Sequence, residues 1–136
     1  MPPVLLDTDT LSEVMKGRDP QVQQRARRYL ASYGCFTFSI ITRYEILRGL
    51  RAKGAIRQIA AFEERCRKSN VLPLTDEVII QAANIYADLH QQGQLISDAD
   101  ILIAATALVH DLTLVTENVA HFRRISGLNI EGWRAP

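Results

Sequence analysis

Three carboxylates and one carboxamide, far apart in the chain, each stand beside an apolar run. They are Asp7 in VLLDTD, Glu45 at the end of SIITRYE, Asp100 in SDADILIAATA, and Asn118 at the end of TLVTEN. Oxygen donors of this kind suit a hard divalent cation. Mg²⁺ and Mn²⁺ take carboxylate, carbonyl and water oxygens, and a substrate phosphate often completes the shell. The pattern argues against zinc: His90, His110 and His121 show no paired metal spacing, and Cys35 and Cys66 stand alone without a C-x-x-C. The histidines read as surface or boundary residues.

Each acid also has a structural use. Thr42 with Glu45, Ser97 with Asp100, and Thr10 with Glu13 are three apart, the spacing of a capping box in which the acid satisfies a helix-start N–H. Asp7, directly after an apolar run, could cap the next helix. Residues two apart on a helix do not share a face, so Asp98 and Asp100 are not expected to point inward together.

The elements that must position these groups alternate. Strand-like runs at Val4–Leu6, Cys35–Ser39, Val71–Leu74, Thr113–Thr116 and Leu128–Ile130 are separated by helical stretches. The helices are expected at Thr10–Lys16, Pro20–Ser32, Thr42–Leu50, Ile56–Ser69, Asp76–Gln92 and Asp98–His110, with a turn of helix near Val119–Arg123. Such alternation predicts an α/β fold: a parallel sheet of about five strands with helices on both faces, in three layers. Ligands collect beyond the carboxyl ends of such strands. Asp7, Glu45 and Asn118 follow the first, second and fourth strands, and Asp100 opens the helix leading into the fourth.

A chain of 136 residues, 47% of them hydrophobic, suits one domain spanning residues 1–136. Two isolated cysteines give no disulfide framework, and no apolar leader or membrane-length run is present, so the chain reads as a reduced, cytosolic protein without a membrane partner. Net charge is +1, unevenly spread: residues 1–75 carry 13 basic and 7 acidic side chains, residues 76–136 carry 3 and 8. Much of the excess lies between Arg43 and Lys68, where a polyanion could dock, although solvated helix faces explain a charge run equally well.

At these residues the chain resembles the PIN-domain ribonucleases, and among them the VapC-type toxins of prokaryotic toxin–antitoxin pairs. LLDTD at Leu5–Asp9, SIITRYE at Ser39–Glu45, DILIAATA at Asp100–Ala107, LTLVTEN at Leu112–Asn118 and the ending FRRISGLNIEGW at Phe122–Trp133 follow the family's motifs in order, nearly end to end. The resemblance implies that Asp7, Glu45 and Asp100 hold Mg²⁺ or Mn²⁺ and that Asn118 joins them in catalysis. Thr8, Ser39, Thr116 and Asp98 are expected to support them. It implies an endonucleolytic cut of RNA by a metal-activated water, leaving a 5′-phosphate and a 3′-hydroxyl, with Asp7 the least tolerant position. It also implies a small VapB-like antitoxin covering the site, and a homodimer. Without a cation, the clustered carboxylates should repel and raise at least one pKa. Two positions depart from the family pattern. Asn118 is a carboxamide where an acid is usual, which leaves Glu117 as another source of charge, and Gly132 stands where a relative often has an acid.

Two other readings compete. VLLDTDT also fits the nucleophile motif of haloacid-dehalogenase-like phosphatases, with Asp7 attacking phosphate, Asp9 as acid/base, and Ser39, Lys68, Asp98 and Asp100 filling the other places. That leaves Glu45 and the IAATA segment unexplained. A non-enzymatic module, either receiver-like or a catalytically feeble metal- and RNA-binding PIN scaffold, is the second. A receiver needs a phosphoacceptor after its third strand, where Leu74-Thr75-Asp76 instead starts a helix.

Overall fold

Val4–Leu6 form the central strand β1, and all three side chains are buried. A strand apolar on both faces must be covered on both, because successive side chains point to opposite sides. Val4 and Leu6 pack with Leu11, Val22, Phe38 and Phe62 on one face. Leu5 packs with Val78, Ile85, Ile103 and Leu114 on the other. The computed structural model describes residues 2–134.

Around β1 the chain forms α1 (Thr8–Lys16), α2 (Pro20–Tyr33), β2 (Thr37–Ser39), α3 (Ile40–Lys53), α4 (Ile56–Arg67) and β3 (Asn70–Leu72). It continues through α5 (Asp76–Gln91), α6 (Asp98–Val109), β4 (Thr113–Val115), α7 (Val119–Phe122) and β5 (Ile130–Glu131). The five strands are all parallel, in the order β3-β2-β1-β4-β5. The chain builds outward from β1 on one side and then crosses to the other, so β1 and β4 flank the point where strand order reverses. In an open parallel sheet that crevice is where a ligand fits. Helices α1 to α4 supply one layer of the core and α5 to α7 the other, which gives the expected three-layer α/β/α arrangement.

The caps correct two of the expected capping boxes. Helix α1 begins at Thr8 with Asp7 as its cap, and α3 begins at Ile40 with Ser39 as its cap. Thr10 and Thr42 therefore lie inside helices, both buried. Each helix starts two residues early because an oxygen-bearing residue ends the preceding strand and serves as the cap. Ser97 does cap α6, accepting from the Asp100 N–H at 3.2 Å. At its far end α3 runs past Leu50 to Lys53 and stops at Gly54, whose φ of 64° is the left-handed turn glycine adopts without strain. Strand β3 stops at Leu72, short of the expected Leu74, since Pro73 cannot donate to a ladder. Strand β5 lies later than expected, at Ile130–Glu131, registered on Leu114 and Val115 of β4.

Candidate active site

Asp7 leaves the carboxyl end of β1 and immediately caps α1. Its N–H donates to the Val115 carbonyl at 3.0 Å, which ties it to β4. Its Oδ1 accepts from the Thr10 N–H at 2.8 Å, and the Thr116 hydroxyl also bonds its carboxylate. The residue is 4% exposed. Burial pushes its pKa above the ordinary aspartate value, more strongly than the hydrogen bonds from Thr116 and Thr10 pull it down. A raised carboxylate is what the sequence predicts, but the cause differs: desolvation is the largest contribution, and repulsion from the Asp9 carboxylate ranks below the hydrogen bonds.

Glu45 projects from the second turn of α3. The Thr8 hydroxyl donates to its Oε1 at 2.6 Å and lies 3.0 Å from the Thr42 hydroxyl. Thr8 has one proton, spent on Glu45, so Thr42 donates to Thr8. Arg48 approaches the other carboxylate oxygen at 3.7 Å, one turn along the helix. Ser39, fully buried, holds the start of α3 by accepting from the Ile41 N–H at 3.0 Å.

Asp100 lies in the first turn of α6, half-buried, while Asp98 on the same turn is exposed. The Asp100 carboxylate faces His121 rather than the cap: its Oδ2 is 3.3 Å from the His121 Nδ1. Asn118, at the start of α7, places its amide nitrogen 2.8 Å from the same Nδ1. The Asn118 N–H donates to the Thr116 Oγ1 at 2.9 Å. Thr116 thus bonds both Asp7 and Asn118. Glu45, Thr8, Asp7, Thr116, Asn118, His121 and Asp100 form one chain of contacts, joined by hydrogen bonds and the Asp7–Thr8 peptide link.

His121 is the member that sequence reasoning missed. The available signal was its spacing, three residues after Asn118 across a single turn of helix. Glu117, the alternative source of charge, is engaged elsewhere. Its Oε1 accepts the Arg134 N–H at 2.9 Å, and its carboxylate occupies the space a side chain at Gly132 would need, with a Cβ there 2.9 Å from Oε1. Glu117 thus fills the space beside Gly132. Lys68, which the phosphatase reading requires at the site, sits just before β3, at the opposite edge of the parallel sheet, and pairs with Glu64.

The donor set fits a hard cation. Asp7 is a buried carboxylate, and Glu45 and Asp100 offer further oxygens. Among the described residues no three His, Cys, Asp or Glu side chains converge into a ready-made cage. Few protein ligands, with water and phosphate supplying the rest, is the usual arrangement for Mg²⁺.

A cleft of about 440 Å³ opens from Thr8 and Glu45 between α1, α3 and α4. Met15, Ile46 and Leu50 line it with apolar surface, and Lys16, Lys53 and Arg65 add charge. Of the basic run expected to attract a polyanion, Arg43, Arg67 and Lys68 are engaged with Glu63 and Glu64.

The PIN-domain family matches residues 4–128. Ribonuclease VapC2 of Haemophilus influenzae is 32% identical over 95% of this chain and 96% of its own length. Ribonuclease VapC1 of Methanocaldococcus jannaschii is 30% identical over 94% of this chain and 85% of its own. The DNA-bound VapBC structure from Salmonella typhimurium superposes with a TM-score of 0.86 at 28% identity, covering 98% of this chain and 99% of that one. With its motifs in order at the carboxyl edge of a five-stranded parallel sheet, the chain belongs to the PIN-domain family and, within it, to the VapC ribonucleases.

Proposed function

We propose that this VapC ribonuclease is a metal-dependent endoribonuclease, with Asp7, Glu45 and Asp100 as ligands of Mg²⁺ or Mn²⁺ and Asn118 beside them. The observation that carries this is the unbroken chain of contacts from Glu45 through Asp7 to Asp100, at the point where strand order reverses. The cation would supply a water of lowered pKa and offset charge on the phosphate. The protein's own residues do the positioning. Thr8 fixes one Glu45 oxygen, Thr116 holds Asp7 and the Asn118 backbone in register, and the β1–β4 ladder keeps both at one depth. Asp7, whose burial disfavours its charged form, gains most from a metal. Lys16, Lys53 and Arg65 along the cleft would hold flanking phosphates of RNA.

The same cleft, apolar below and basic at its rim, suits a small VapB-like antitoxin. The Salmonella structure is such a VapBC complex. A homodimer is consistent with the exposed Ile40 and Tyr44 of α3 and Ile79 and Ile80 of α5. Among the described residues no helix is long and apolar enough to cross a membrane, in keeping with action in the cytoplasm. A catalytically feeble metal- and RNA-binding scaffold is favoured only by the neutral Asn118.

The test incubates purified protein with total bacterial RNA in Mg²⁺, Mn²⁺ or chelator, beside Asp7→Asn, and maps the fragment 5′ ends. Discrete metal-dependent cuts that disappear in the folded variant are expected. Metal binding without cleavage would point to the feeble scaffold, and cleavage undiminished by chelator would sink the metal mechanism.

A further inference from the structure

We infer that His121 gives an imidazole nitrogen to the divalent cation of this site, beside Asp100 and Asn118, and thereby makes the site prefer Mn²⁺ to Mg²⁺; the inference rests on the metal-dependent reading above. Three potential ligand groups meet at one atom. His121 Nδ1 lies 3.3 Å from Asp100 Oδ2 and 2.8 Å from the Asn118 amide. A ring nitrogen carries either a lone pair or a proton. With a lone pair, it accepts from the Asn118 NH₂ but turns that lone pair toward a carboxylate oxygen. With a proton, it satisfies Asp100 but opposes the amide NH₂, unless the amide is turned to present Oδ1; one proton is then shared by two acceptors.

A cation can take the place of that one shared proton. Placed against Nδ1, Asp100 Oδ2 and the turned amide oxygen, it is attracted by all three. The spacing agrees: adjacent ligands of an octahedral ion with bonds of about 2.1 Å lie roughly 3.0 Å apart, and the two distances bracket that figure. The His121 side chain is 42% exposed, which leaves an ion room for its waters. Asn118 caps α7 and His121 lies within it, so one short helix presents both to Asp100 on α6.

The consequence follows from ligand type. Mg²⁺ is small and dehydrates reluctantly, keeping a shell of water and oxygen ligands; Mn²⁺ shares the preference for oxygen but, as a transition ion, accepts an imidazole more readily. An all-oxygen site would discriminate little between Mg²⁺ and Mn²⁺. A site with one imidazole should favour Mn²⁺ by about tenfold or more, since changes even outside the ligand shell alter metal affinity on that scale.

The experiment loads the metal-free full chain with Mn²⁺ alone and reads nitrogen coupling by pulsed electron paramagnetic resonance, then measures Mn²⁺ and Mg²⁺ affinities by calorimetry. His121→Asp, checked for an unchanged circular dichroism spectrum, replaces the nitrogen with oxygen. The expected result is imidazole coupling in the wild type, lost in His121→Asp, with the Mn²⁺ preference falling to near parity. Mn²⁺ bound without nitrogen coupling, or coupling that survives in His121→Asp, overturns the assignment while leaving the ribonuclease reading standing. Failure to bind either ion overturns both.

Discussion

The two halves of the site are built differently. Asp7 and Glu45 belong to β1, α1 and α3, where every contact has a consistent donor and acceptor: Thr10 N–H and Thr116 hydroxyl to Asp7, Thr8 hydroxyl to Glu45. Asp100, Asn118 and His121 meet around one nitrogen whose hydrogen bonds compete. The first half is held by the fold, so a ligand there adds little order but offsets a buried charge. The second half is arranged by a four-residue helix, and a ligand is what would settle its geometry. One site thus contains a rigid wall and an adjustable one.

The largest effect that tests this contrast is at Asp7. Asp7→Asn keeps a good cap for α1, because the amide oxygen still accepts from Thr10, but removes the ionisable group. Activity should fall by about a thousandfold or more. In chelator the fold should gain stability, and the sign follows from linkage. Burial raises the native pKa above the unfolded value near 3.8, so between the two the native state holds more protons and wild-type stability falls as pH rises. Below that window the two proteins should melt alike. Above it the variant should melt higher than the wild type. Added Mg²⁺ should reverse the order by stabilising only the wild type. Equal melting temperatures at pH 4 and pH 8 in chelator would show that Asp7 is not under strain from burial.

Next is Thr8, which supports Glu45 without being a ligand. Thr8→Val leaves the β-branched shape and deletes the 2.6 Å bond to Oε1 and the 3.0 Å contact with Thr42. A lost hydrogen bond to a charged group costs about 1.5–3 kcal/mol. The expected outcome is a roughly tenfold drop in kcat with little change in KM for RNA. A rise in KM alone would mean that Thr8 serves the cleft rather than Glu45.

The sequence made the rigid wall legible and the adjustable one less so. VLL followed by Asp7, and Phe38-Ser39 followed by a helix carrying Glu45, put acids at strand ends, where apolar patterning alone locates the carboxyl edge of a parallel sheet. The parallel sheet and its two helix layers follow from the same alternation; the strand order and the switch between β1 and β4 do not, because they depend on which strands pair. Helix starts were misplaced by two residues at Thr10 and Thr42 because Thr-x-x-Glu is an ambiguous cap signal. It matches any helix with threonine on its inner face, and burial of both threonines could be known only from packing. His121 was read as a surface or boundary residue, and it is half-buried; its place beside Asp100 was not legible, because a four-residue helix has no periodicity to show which way it faces. Glu117 and Gly132, fifteen residues apart, share one space only because β5 registers on β4, and strand register is invisible in a two-residue strand.

The smallest effect expected is at that last contact, and it separates structure from catalysis. A Cβ at Gly132 would lie 2.9 and 3.0 Å from the two Glu117 oxygens. Those atoms end a flexible, exposed side chain, so Gly132→Ala should displace the carboxylate rather than the backbone. The displaced Glu117 loses the Arg134 N–H, a bond at the surface, worth about 0.5–1 kcal/mol. Replacing glycine outside the left-handed region gives part of this back through the unfolded chain. The net change should be within about 0.5 kcal/mol by urea titration, with RNA cleavage unchanged. A large loss of cleavage would mean that Glu117, one residue from Asn118, positions the adjustable wall, and that the C-terminal segment is part of the catalytic apparatus rather than a strap on α1 through the Arg134–Glu13 pair.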